Sequence, residues 1–173
     1  NEIYKNDFKK YQMGITLIAT VRGIPQLYYG SEIGMAGNRD SGGDGQIRQD
    51  FPGGWSGDEN NAFTASGRTA MQNEFHDFTS KLFNWRKTND AVHFGKMKHY
   101  IPENNVYVYF RYSDEKTVMV VINNNAQQQT LDMNRFQESI LDRTTGKDII
   151  SEKQIDLKNS LTIEGQSVLV LEL

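Results

Sequence analysis

The hydrophobic repeat changes period near residue 95, and that change constrains the fold more than any other feature of the chain. Before it, Tyr4, Phe8, Tyr11, Ile15 and Ile18 recur at spacings of four, three, four and three, and Met71, Phe75, Phe78, Leu82 and Trp85 form a second stripe. Both are single faces of a 3.6-residue repeat and predict helices that bury one side. Thr69 with Gln72 has the form of a capping box, so the second helix is expected from about Thr69 to Thr88. After residue 95 the period is two: Val106, Val108 and Phe110 alternate with Tyr107, Tyr109 and Arg111, and a β-branched run follows from Thr117 to Ile122. Turn-forming clusters at 123–125, 132–134, 143–146 and 164–165 punctuate the remainder with the rhythm of an antiparallel sandwich. A last strand is expected from Val168 to Leu173, and alternation leaves open which of its two side-chain sets points inward.

Between the two helical stripes lies an apolar run, Ile24 to Tyr29, set off by Gly23 and Pro25, which end a helix and keep it from resuming. A short continuous apolar run of this kind reads as a buried parallel strand. Helix, buried strand and helix in that order are part of an α/β repeat, and the strand opens into a glycine-rich loop with one acid, Glu32, at its mouth. Residues 34–67 carry glycine, Asn, Asp and Ser with no periodicity. Structureless loops longer than about 12–15 residues inside a domain are uncommon and are functional or disordered. The mixture of Arg48, Asp50, Phe51, Trp55 and Asp58 favours function.

Composition narrows the chemistry. The 173 residues carry a net charge of −3, with cations scattered among acids, so there is no basic footprint for nucleic acid or an anionic membrane. No apolar run approaches the ~18 residues that a membrane span needs. Cysteine is absent, which removes disulfides, thiolate metal sites and cysteine nucleophiles and suits bacterial cytoplasm and periplasm alike. No Gly-x-Ser-x-Gly elbow or Walker-type loop occurs, and His76, His93 and His99 lack the spacing of a zinc helix. The segment from Asp40 to Gly45 has a superficial likeness to a calcium loop, yet Gly42 and Phe51 stand where an EF-hand needs oxygen ligands. A flexible turn is expected there, with an irregular calcium site as the minor alternative, and no cofactor is expected.

Asp44 and Arg48, four apart and followed by Phe51 and Trp55, make the best candidate site. Sugars are held by charged side chains that fork to vicinal hydroxyls and by aromatic faces against the ring, so this set suits a glucan. An i, i+4 salt bridge with two hydrophobic plugs is the equally weighted alternative.

The run Gly23-Ile24-Pro25-Gln26-Leu27-Tyr28-Tyr29-Gly30-Ser31-Glu32-Ile33-Gly34 closely resembles the eighth-strand motif of the α-amylase superfamily, written G-x-P-x-x-Y-Y-G-D/T-E-x-G. The order of helix, motif strand, long loop, helix ending in Leu82-Phe83-x-x-Arg86-Lys87, and sandwich matches that superfamily over essentially the whole chain. The resemblance implies the last helix-strand-helix portion of a (β/α)₈ barrel at 1–95 and a C-terminal β-sandwich at 96–173. Within the superfamily the likeness is greatest to the neopullulanase, cyclomaltodextrinase and maltogenic amylase group. In that group an Asp-x-x-x-Arg pair after strand eight contacts donor-side glucose units. Asp44, Arg48 and Trp55 are thereby expected to bind substrate, with Tyr29, Gly30 and Glu32 shaping the rim. Ser31 departs from the commoner aspartate, and the loop from Arg48 to Trp55 is longer than usual.

The superfamily's catalytic carboxylates come from strands four, five and seven, all before residue 1, so no catalytic residue is expected here. His76-Asp77 imitates the seventh-strand pair but lies inside a helix and after the Tyr-Tyr-Gly motif, where a solvated helix surface is expected. The chain alone should be inactive, as the rim of an α-glucan cleft with its sandwich. Residues 4–29, shaped for a closed barrel, should self-associate or stay partly disordered. The rival reading is a non-catalytic carbohydrate-binding sandwich that stacks glucan on Tyr107, Tyr109 or Tyr112.

Overall fold

Asp7 starts the first helix by accepting the Lys10 N–H on its side chain, and α1 runs Phe8–Thr20. The computed structural model describes residues 7–173, so Tyr4 and the start of the first predicted stripe lie outside the described residues. Tyr11, Ile15 and Ala19 form the buried face of α1. Two short helical segments follow in the long loop: α2, Arg39–Gly42, and a 3-10 turn, Gly43–Ile47. The second long helix, α3, spans Ala70–Lys87 with the expected reciprocal capping box at Thr69 and Gln72. Of its stripe, Phe75, Phe78 and Leu82 are buried, while Met71 at the open end is 40% exposed. A single turn, α4, Asp90–His93, leads into the sheet.

The β part begins where the period changes. Its strands are β1 Lys96–His99, β2 Val106–Tyr112, β3 Thr117–Asn123, β4 Gln129–Asp132, β5 Thr145–Asp148, β6 Gln154–Asp156, β7 Ser160–Ile163 and β8 Ser167–Glu172. Six of them make one antiparallel sheet in the order β1-β2-β3-β8-β5-β6, and β4 pairs with β7 in a second antiparallel sheet. A short helix, α5 Gln137–Ile140, follows a 3-10 turn at Met133–Phe136 and helps close the space between the sheets.

The central strands are buried on both faces, which is why their alternation carries apolar residues at nearly every position. Val106, Val108, Phe110, Met119, Val121 and Leu171 face Met133, Phe136, Ile140, Leu161 and Ile163. Tyr109, Val118, Val120 and Val170 face Tyr11, Ile15 and Ala19 of α1 and Phe75, Phe78 and Leu82 of α3. The open question about β8 is thus answered by both sets: Val170 packs with the helices and Leu171 with the second layer. Burying a side chain such as Phe75 or Leu82 contributes about 1.5–3 kcal/mol.

Polar contacts fasten the same joint. Trp85 Nε1 and Asn89 Nδ2 both donate to Glu172 Oε1, at 2.7 and 3.0 Å. Lys81 Nζ reaches from α3 to the Ile150 carbonyl and to Glu152, each at 2.7 Å. Arg111, only 1% exposed, donates to the carbonyls of Thr20 at 2.7 Å and Gly95 at 3.0 Å, and so satisfies an orphan acceptor at the end of α1. Burial, and then the nearby charge of Arg86, pull the Arg111 pKa below the usual arginine value.

The predicted strand at Ile24 to Tyr29 is not formed. Strand pairing needs a neighbouring strand, and none of the strands among the described residues pairs with this run. Ile24 is consequently 97% exposed, Tyr28 54% and Tyr29 45%. Gly30 then turns the chain at φ 80° into a 3-10 turn, Ser31–Ile33, which Gly34 closes at φ 71°. The positive φ at Gly30 favours glycine, and a side chain there would also have to displace the end of Met35. Ile33 anchors the turn by burying its side chain.

Candidate functional site

The loop after the unpaired run folds back over it. Tyr29 donates its hydroxyl to the Gln49 carbonyl at 3.0 Å, and its ring lies 4.6 Å from that of Tyr28. A cleft of about 340 Å³ opens there, lined by Tyr28, Tyr29, Met35, Ile47, Arg48 and Gln49 among others. Its polar groups come from the loop and its aromatic wall from the Tyr-Tyr pair. The Tyr28 hydroxyl, as a hydrogen-bonding neighbour, raises the Tyr29 phenol above its ordinary value, so Tyr29 stays protonated and able to donate.

Asp44 is held by two arginines. Arg39 donates to one carboxylate oxygen from Nε at 3.0 Å and from Nη2 at 2.6 Å, and Arg48 meets the other oxygen at 3.2 Å. The i, i+4 pair read from the sequence is therefore formed. Arg39, which completes it, stands five residues before Asp44, outside helical pairing distance, and nothing in the spacing pointed to it. All three side chains are half exposed or more. Exposed ion pairs contribute only ~0–1 kcal/mol, so this cluster orders side chains at the cleft mouth more than it stabilises the fold.

Trp55 does not join that cleft. It stands 67% exposed in a turn whose backbone N–H groups at Gly53 and Trp55 are accepted by Asp58 at 2.7 and 3.1 Å. Phe51 sets its ring 4.6 Å from that of Phe63, which is itself 65% exposed. Gly30 caps the 3-10 turn beside the cleft and is not among the residues that line it. Glu32 sits on the next turn and lines a second cavity, of about 450 Å³, with Tyr29, Phe51, Phe63, Arg68 and His76. One oxygen of the Glu32 carboxylate is buried with no hydrogen-bond partner. Sequence reasoning missed Arg68 and Phe63 here; both are loop residues without a periodic signature. His76 pairs with its neighbour Asp77 at 3.3 Å on the surface of α3, half-buried against a 76% exposed carboxylate.

Of the three tyrosines that the rival reading names, the structure leaves one exposed. Tyr109 is fully buried and hydrogen-bonded to Thr20 inside the helix-sheet core, and burial drives its phenol pKa far above the ordinary value. Tyr107 is half-buried with its ring 5.0 Å from that of Tyr109, which leaves only Tyr112 at 37% exposure. No cluster of His, Cys, Asp and Glu among the described residues is arranged to hold a metal ion. No helix among them is long and apolar enough to cross a membrane.

Comparison with known proteins bears on the whole of this architecture. Residues 97–172 match the family described as the cyclo-malto-dextrinase C-terminal domain. An α-amylase from Niallia circulans is 30% identical over 117 residues, covering 68% of this chain and 19% of that protein. The chain is the C-terminal part of an α-amylase-superfamily protein. A maltogenic α-amylase from Bacillus acidopullulyticus is 26% identical over 164 residues, 91% of this chain and 24% of its own length. The chain thus spans about a quarter or less of the curated relatives it matches. Among solved structures, the Geobacillus thermoleovorans α-amylase complexed with acarbose aligns with a TM-score of 0.71 at 18% identity, over 95% of this chain and 33% of that one. A cyclomaltodextrin glucanotransferase with three-domain organisation aligns at 0.68 and 23% identity, over 96% and 32%. These likenesses establish a shared fold across the helical and β parts together.

Proposed function

We propose that residues 1–95 are the closing helix-strand-helix portion of a (β/α)₈ catalytic barrel and that residues 96–173 are its C-terminal β-sandwich. The parent is a retaining enzyme that cleaves or transfers α-glucosidic bonds in starch-like glucans, nearest in kind to the cyclomaltodextrinase and neopullulanase group. The observation that carries this reading is the apolar run Ile24 to Tyr29, extruded without a sheet partner yet leading directly into the Tyr28, Tyr29 and Arg48 cleft. Its sequence is a barrel strand, its present exposure is what loss of both neighbours produces, and the loop beyond it carries sugar-binding chemistry. The presence of acarbose, maltose and maltotriose in structural relatives agrees with a glucan ligand.

On this account Arg48, bridged to Asp44, forks to vicinal hydroxyls of a glucose unit, and the Tyr28-Tyr29 pair offers a ring face. Trp55, exposed beyond the cleft, meets a further sugar unit of a longer chain. Tyr29, Gly30 and Glu32 hold the rim. A retaining glycosidase needs two carboxyl groups about 5–5.5 Å apart across the scissile bond. In a barrel enzyme these come from the ends of several strands, so one strand does not assemble them. The chain by itself therefore binds glucan weakly and does not cleave it. Titration with maltoheptaose tests this: tryptophan and tyrosine fluorescence should respond in the wild type, less in Trp55→Ala, and least in Arg48→Ala. An unchanged response in Arg48→Ala would refute the cleft assignment.

A further inference from the structure

A second feature of the same unpaired run concerns its other end. Arg86, on the last turn of α3, is 7% exposed. Its Nη2 donates to the Gly23 carbonyl at 3.2 Å, while its Nη1 is buried with no hydrogen-bond partner. It lines a cavity of about 380 Å³ with Ile24, Phe83, Lys87, His93 and Phe94, and no acidic side chain among the described residues lines it. Burial pulls the Arg86 pKa below the usual arginine value, yet a guanidinium so far above neutrality keeps its charge. A buried guanidinium with one N–H group left without an acceptor is costly, and buried charges are as a rule paired and hydrogen-bonded.

The walls state the rest of the requirement. Ile24 is 97% and Phe94 86% exposed, the two most exposed large apolar side chains among the described residues, and they line the same cavity as the guanidinium whose Nη1 lacks an acceptor. The opening is therefore cationic at its base and greasy at its rim. Its complement is a carboxylate carried beside an aliphatic or aromatic group. The opposite end of the run presents the mirror case, since Glu32 buries a carboxylate oxygen with no donor.

From this we infer that Arg86 is the receptor for an acidic side chain on the polypeptide that precedes this chain in the parent protein. An apolar neighbour of that acid covers Ile24 and Phe94. The inference rests on the parent reading above and adds to it a specific ion pair that locks the end of α3 to the missing portion. The length argument supports the source, because relatives extend the matched region three- to five-fold or more. Arg86, already held by Gly23 at the start of the run, would fix where that run enters its sheet.

The test begins with the 173-residue chain and isovalerate, a branched aliphatic carboxylate, with isovaleramide as its uncharged twin. Arginine side-chain and isoleucine methyl NMR signals are followed. Saturable shifts at Arg86 and Ile24 with isovalerate, absent with isovaleramide, are the expected result. Phe94→Ser, a change at an exposed position that spares the fold, should weaken the isovalerate response about tenfold. Equal response to both probes, or none to either, overturns the inference. The full-length protein supplies the second arm: isovalerate should no longer shift Arg86, because the site is filled from within. Persistent binding there overturns the inference, while glucan cleavage by the same full-length protein reports separately on the parent reading. Closure of the site in the short chain by dimerisation, seen as protection of Arg86 that vanishes on dilution, would also overturn it.

Discussion

Removing the Tyr109 hydroxyl tests whether the first helix and the sheet are one cooperative structure. The phenol is fully buried on β2 and bonds to Thr20 Oγ1 near the end of α1. Thr20 already donates its own hydrogen to the Thr16 carbonyl at 2.6 Å, so Tyr109 is the donor in their contact. Tyr109→Phe deletes that donor and leaves the Thr20 hydrogen engaged, so the cost should be close to the net value of one hydrogen bond, about 1 kcal/mol. For a chain of this size that is a fall in Tm of about 2–4 °C. Thr20→Val is the harsher change, because it strands a buried phenol, and should cost about 1–3 kcal/mol. In a double-mutant cycle by urea denaturation, Tyr109→Phe should then cost little or nothing in the Thr20→Val background. The phenol's raised pKa gives a further signature. Its contribution is complete below the ordinary value of 10.0 and declines as pH rises beyond it, when the unfolded chain ionises first. Additive costs, or no loss in either single variant, would refute the claim that α1 is joined to the sheet through this bond.

Other expectations follow from the same geometry. Asp44→Asn should weaken maltoheptaose binding while changing stability by less than ~1 kcal/mol in urea, since it releases Arg39 and Arg48 from an exposed pair. Thr69→Ala should cost about 1 kcal/mol through loss of the capping box, and Gln72→Ala in that background should add little. Hydrogen bonding from Lys81 holds the Glu152 carboxyl below its ordinary value of 4.5, so the pair's contribution is complete above that pH and is lost as pH falls through the lower folded value. The stability gap between wild type and Glu152→Gln should accordingly close on the acid side, as read by urea midpoints.

The helices and strands were legible because their signals are local. The capping box, the Phe75, Phe78 and Leu82 stripe, and the alternation along Val106 to Arg111 each need only nearby residues to take effect. Ile24 to Tyr29 illustrates the limit: its composition specifies a strand, but pairing depends on residues far away in sequence, and no strand among the described residues pairs with it. The candidate site divides in the same way. Asp44 and Arg48 were readable from i, i+4 spacing, whereas Arg39 arrives through the tight turn at Gly43, whose φ of 68° no spacing rule encodes. The alternation gave Arg111 no direction, and it is buried because the layer it faces is the end of α1 and not solvent. Arg86 stood in the sequence only as part of the helix-end motif, and its burial beside the Gly23 turn revealed an Nη1 without an acceptor.

The central claim is that this chain carries part of a glucan cleft but none of its reacting carboxylates. Its most direct test is reducing-sugar release from maltoheptaose and from pullulan by the purified 173-residue chain, after circular dichroism has shown it folded. The account predicts no release above the buffer control. Turnover that persists through repurification and disappears with substitution of an acid within residues 7–173 would contradict it.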